Sequence, residues 1–141
     1  MADTIRLGLP LLAAAQAQKH VTHNEALLLL DGLVHLAVSA RGVGTPPASP
    51  AEGDRVIVGG TPTGAFAGEA GRVAAFDDGA WRFLQPRAGW IAHVAAENVL
   101  LLHDGTAWRA LETALHRLAD LDGLGVGTAP DATNRLAVRS D

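Results

Sequence analysis

The chain has 141 residues, 18 % of them charged and 48 % hydrophobic, with a formal net charge of −4. That length fits one ordinary domain or two very small ones, and the composition excludes intrinsic disorder. The acidic balance excludes affinity built on neutralising nucleic-acid phosphates, and the absence of cysteine excludes disulfides, thiolate metal sites and cysteine nucleophiles.

The first zone, residues 1–39, is rich in Leu and Ala. Leu7 to Ala15 is apolar apart from Gly8, and Ala15-Gln-Ala17 imitates a cleavage site. Asp3 beside the lone base Arg6, together with Pro10 inside the run, argues against an export signal. No stretch approaches the ~20 apolar residues of a membrane span, so no membrane insertion is expected. With no helix breaker between Pro10 and Gly32, the pattern predicts a helix over Leu11–Asp31 that continues to Val38. Leu27 to Leu30 is apolar all round, which asks for burial, here by sister chains. Before it stands a polar belt, from which Gln16, Gln18, Lys19, His20, His23, Asn24 and Glu25 are expected to contact a neighbouring copy of the chain.

Residues 40–54, with Pro46, Pro47 and Pro50, read as a linker or extended arm. Residues 55–111 read as a small β domain. Arg55–Val58 is a strand, residues 59–71 a loop, and Gly89–Val94 a further strand. Two segments echo each other: Ala75-Phe-Asp-Asp-Gly-Ala-Trp-Arg-Phe-Leu84 and Leu101-Leu-His-Asp-Gly-Thr-Ala-Trp-Arg-Ala-Leu111. Each predicts a hairpin with an Asp-Gly turn followed by a Trp-Arg pair. Residues 112–141 hold the rest of a short helix, whose Leu111, Leu115, Leu118 and Leu121 share a face, and a terminal strand at Leu136–Val138 that ends unpaired. The expected class is α+β: an N-terminal helix, a small antiparallel β-sheet or barrel of hairpins, a short helix and a C-terminal strand.

The chemistry-bearing residues are sparse. No serine sits in a nucleophile elbow. His20 and His23 are three apart on the helix without a zinc-protease pattern, and His35, His93, His103 and His116 are scattered, so no metal site is expected. Asp120, Asp122, Gly125 and Asp131 follow calcium-loop spacing, but Leu124 and the missing terminal Glu remove two ligands. Asp77, Asp78 and Asp104 stand at or beside Asp-Gly turns and are explained by turn chemistry better than as a glycosidase pair. Gly123-x-Gly125-x-Gly127 follows no strand and reads as a flexible turn; no cofactor is implied. Trp81, Trp90 and Trp108 are the largest side chains. They read first as core of the sheet and second as a stacking platform for sugar rings.

The run Leu9-Pro-Leu-Leu-Ala-Ala-Ala-Gln-Ala-Gln-Lys-His-Val-Thr-His-Asn-Glu-Ala-Leu27 resembles the opening of an uncharacterised domain family found in fibre and spike proteins of gene transfer agents and related tailed prophages. The likeness continues through Pro46–Arg55, Ala80–Trp90 and Leu124–Val138. It implies a non-enzymatic virion structural protein, the base or adaptor of a head spike or tail fibre used in host attachment and assembled in the bacterial cytoplasm. The partners implied are further copies of the chain, as a trimer or pentamer, and other capsid, spike or tail proteins. Many relatives continue past Asn134–Asp141, which favours an adaptor over a receptor-binding role. The second reading is a carbohydrate-binding module for host cell-surface polysaccharide, using the three tryptophans.

Overall fold

A computed structural model describes residues 3–12, 19–114, 124–126, 128–129, 132–133 and 136–138. The chain divides into two compact units, Met1–Leu111 and Glu112–Asp141. The first opens with an arm in which Asp3 bridges Pro10 and the backbones of Thr4 and Leu9 pair. Then come α1 (Lys19–Leu33), β1 (Ala37–Val38), β2 (Ala40–Val43), β3 (Arg55–Val58), a single 3-10 turn at Gly64–Phe66, β4 (Val73–Asp77), β5 (Ala80–Leu84), β6 (Ile91–Val94), β7 (Val99–His103) and β8 (Trp108–Ala110). A short helix, α2 (Leu111–Ala114), leads into the second unit, which holds β9 (Leu124–Val126) and β10 (Leu136–Val138).

The α+β class stands, and neither four-stranded sheet closes into a barrel. One sheet has the order β2-β3-β4-β5 and the other β1-β6-β7-β8. Each is an antiparallel meander of three strands, with one further strand added in parallel to its first member. Those added strands are two halves of one extended segment. Ser39 separates them: its N–H and Oγ both donate to the Arg55 carbonyl, at 2.8 and 3.1 Å, while its own carbonyl accepts from Ala96 N–H. The chain thus passes from one sheet to the other at a single residue.

Several expectations are corrected. Leu11 and Leu12 are not helical, and α1 ends at Leu33 rather than Val38. His35 takes φ 51° just beyond it, the left-handed conformation that terminates helices, and Ala37–Val38 is a strand. The expected linker 40–54 begins with β2, which pairs with β3. That close pairing dictates Gly59: a Cβ there would stand 2.7 Å from the Gly42 carbonyl oxygen. Leu124–Val126, read as a flexible turn, is a strand, and β10 is paired with it in parallel register. The helix expected through Leu121 is seen as Leu111–Ala114; its continuation lies outside the described residues.

Strand alternation sends each meander's side chains to two faces. Ile57 and Val73 of one sheet meet Ala92, Val94 and Leu101 of the other, together with Leu36 and Val38, and form the core between the sheets. The opposite face of the first sheet carries Val56, Val58 and Ala74, which the loop over residues 59–71 seals with fully buried Phe66. The corresponding face of the second sheet has no such cover among the described residues: Ile91 is 52 % and Leu100 44 % exposed.

Candidate functional site

On the inward face of the first sheet, cross-strand register lines up Ile57, Val73 and Leu84, a row that enters the core. Two residues further along, the same face carries Arg55 beside Ala75 and Arg82, and then Asp77. This charged end lies under α1 and the arm. A cavity of about 330 Å³ results, lined from the sheet by Arg55, Asp77, Arg82 and Leu84, from α1 by Glu25, Leu28, Asp31 and Gly32, and from the arm by Ile5 and Arg6. At Gly32 the helix packs close over the sheet: a Cβ there would lie in van der Waals contact with Leu84 Cδ1, at 3.4 Å.

Arg55 is only 3 % exposed. Its Nη1 donates to the carbonyls of Asp31 (3.3 Å) and Gly32, so a cation sits on the negative end of α1. Burial, with repulsion from Arg6, pushes its pKa down to about 10 against the pull of Asp31, which leaves it charged at neutral pH. Asp31, also buried, accepts from Leu7 N–H at 2.6 Å and Arg6 N–H at 3.2 Å and thereby fixes the arm. Buried Thr4 closes the arm's own turn, its Oγ1 accepting from Leu9 N–H at 2.9 Å. Asp77 Oδ2 is buried, 3.3 Å from Arg82 Nε, yet accepts no hydrogen bond among the described residues. Burial raises the Asp77 pKa above the usual carboxylate value; Arg82 opposes this, and Glu52, Asp78 and Asp31 add to it.

The residues singled out from sequence scatter around this cavity. Glu25 lines it, and His23 is exposed on the same helix. Asn24 uses its amide within the chain, Oδ1 accepting from Leu12 N–H at 2.9 Å and Nδ2 donating to Leu12 O at 3.0 Å. Lys19 and His20 open α1, with side chains outside the described residues, as are Gln16 and Gln18 entirely. His116, Asp120, Asp122 and Asp131 also lie outside them.

The tryptophans divide between the two cores. Trp81 packs edge-on to Phe66 (5.0 Å) and Phe76 (5.2 Å) on the outer side of the first sheet. Trp90 and Trp108 pack against the core between the sheets, and Trp108 Nε1 donates to Gly71 O at 3.0 Å. All three are partly buried and shared between two clusters, so they do not present one stacking surface.

Nothing in the spacing of Arg55, Asp31 and the Asp77–Arg82 pair marks them as a cluster. The one signal was a guanidinium heading the apolar run Val56-Ile-Val58 at a position whose neighbours two residues on are buried.

The structure thus defines a small α+β domain of two hairpin meanders joined by a shared strand, with a charged cavity under its helix. The chain belongs to the family described as protein of unknown function DUF2793, whose model matches residues 23–109, from within α1 to β8. None of the curated proteins matches it.

Proposed function

We propose that the chain is a structural subunit of a phage-like particle or gene transfer agent, the base or adaptor of a head spike or tail fibre, working as a homo-oligomer. The observation that carries this reading is the ribbon of β9 and β10. Its parallel register sets Leu124 against Leu136 and Val126 against Val138. All four point to one face by strand alternation and are 46–66 % exposed. A two-stranded ribbon is marginal in water on its own, and an apolar face of this kind asks for a further layer. The same ribbon from other copies supplies one of matching shape, as a fibre shaft requires. Ile91 and Leu100 on the second sheet add further uncovered apolar surface.

The reading predicts a trimeric or pentameric mass for the full chain in sedimentation at micromolar concentration. The double substitution Leu136→Asp, Val138→Asp is expected to return the monomer with an unchanged far-ultraviolet spectrum. A wild-type chain that sediments as a monomer both alone and with the purified particle would rule the proposal out.

A further inference from the structure

The cavity under α1 holds two groups of opposite sign whose hydrogen-bonding capacity is not fully met. Arg55 uses Nη1 on the helix carbonyls, while Nε and Nη2 have no hydrogen-bond partner among the described residues. Those two nitrogens form one edge of the guanidinium, the side-on edge whose parallel N–H groups match the two oxygens of a carboxylate. Across the same sheet face stands Asp77, whose Oδ2 has an ion-pair neighbour and accepts no hydrogen bond. Arg55 is registered opposite Ala75, so Asp77 is its diagonal neighbour on the next strand, with Cα atoms on the order of 7–8 Å apart. Both groups line the one cavity, so a small molecule bearing an anionic and a cationic group can meet both.

From this arrangement we propose that the cavity binds a free aliphatic α-amino acid, its carboxylate on the Nε–Nη2 edge of Arg55 and its ammonium on Asp77. The ionisable lining balances, Arg6, Arg55 and Arg82 against Glu25, Asp31 and Asp77. A zwitterion preserves that balance, whereas a simple anion or cation leaves a net charge in a partly desolvated site. The remaining walls are apolar, with Leu28 and Leu84 inside and the exposed Ile5 and Leu29 at the mouth. The volume equals that of about eleven waters, which suits a molecule of roughly nine or ten non-hydrogen atoms. This site is independent of the assembly reading, whose carrying observation is the ribbon of β9 and β10.

The test is ligand-observed nuclear magnetic resonance on the full chain with three probes of one aliphatic body: L-leucine, 4-methylpentanoate and 3-methylbutylamine. Leucine is expected to bind at least about tenfold more tightly than either singly charged analogue. Asp77→Asn is expected to weaken leucine by a similar factor and to leave 4-methylpentanoate unchanged. Arg55 also closes α1, so Asp77→Asn, with circular dichroism to confirm the fold, is the variant that decides. No leucine binding at millimolar concentration, equal binding of all three probes, or unchanged leucine affinity in Asp77→Asn would each overturn the proposal.

Discussion

The two meanders carry the same pair, an Asp five residues before an Arg, beside the same Trp, and the two copies are electrostatic opposites. In β4–β5, Asp77 lies under α1 with a buried oxygen, and desolvation raises its pKa. In β7–β8, Asp104 is exposed and accepts from Ala107 N–H, Arg109 Nε and Thr106 N–H, which hold its carboxyl far below the usual range. The outer faces differ in the same sense. The first meander carries a loop that seats Phe66 over its outer side, whereas the second has only a tight turn at residues 95–98 and leaves Ile91 and Leu100 uncovered. One strand pattern therefore makes a finished layer only where the sequence also supplies a cover.

The largest expected effect probes that cover. Phe66→Ala opens a cavity at the centre of a sealed cluster and is expected to cost about 3–5 kcal/mol in urea denaturation. Leu100→Ala, on the uncovered face and measured on dilute monomer, is expected to stay within about 0.5 kcal/mol. Equal costs would mean that the two outer faces are equally buried in solution.

The paired aspartates give a second contrast, through pH. A native pKa raised above the unfolded value, about 3.9 for Asp, means that Asp77 loses stability for the fold as pH climbs from there through its native value. A lowered native pKa means that Asp104 contributes stability above about 3.9, which is lost as pH falls through its native value. Asp77→Asn should therefore gain on the wild type as pH rises from about 4 to 7, and Asp104→Asn should lose on it as pH rises from about 2 to 5. Urea midpoints across the two intervals read both. Shifts of the same sign would end the contrast.

Local chemistry made part of this legible. Asp78 and Gly79 take φ 51° and 72°, the paired positive angles that an Asp-Gly turn announces. At Asp104-Gly105 the same dipeptide heads a longer loop, because β7 and β8 pair only from His103 and Trp108 outward. What stayed hidden depends on partners far away along the chain. Ala37-Val38 and Ala40-Arg-Gly-Val43 have no alternation to mark them, and Val38 pairs with Val94 and Arg41 with Ile57. Without those strands, the division into two sheets at Ser39 has no local signature. Arg55 reads as the solvated start of a strand until the carbonyls of Asp31 and Gly32 are known to stand over it.

A further small effect separates the two turns themselves. The second satisfies its donors from within: Gly105 N–H donates to His103 Nδ1 at 3.2 Å, and those of Thr106 and Ala107 to Asp104 Oδ1 at 2.8 Å. The first borrows its acceptor, since Asp78 and Gly79 N–H donate at 2.8 and 2.7 Å to Glu52, a residue that precedes β3. Glu52→Gln keeps one side-chain oxygen for those two donors and removes the charge that strengthens both bonds. It also removes a repulsion from Asp77, which offsets part of the loss. The net cost is expected to fall below about 1 kcal/mol. Amide hydrogen exchange resolves what stability alone does not: Gly79 should exchange faster in Glu52→Gln while Gly105 keeps its wild-type rate. A rate change at Gly105 would show that the two meanders answer to one another through the core they share.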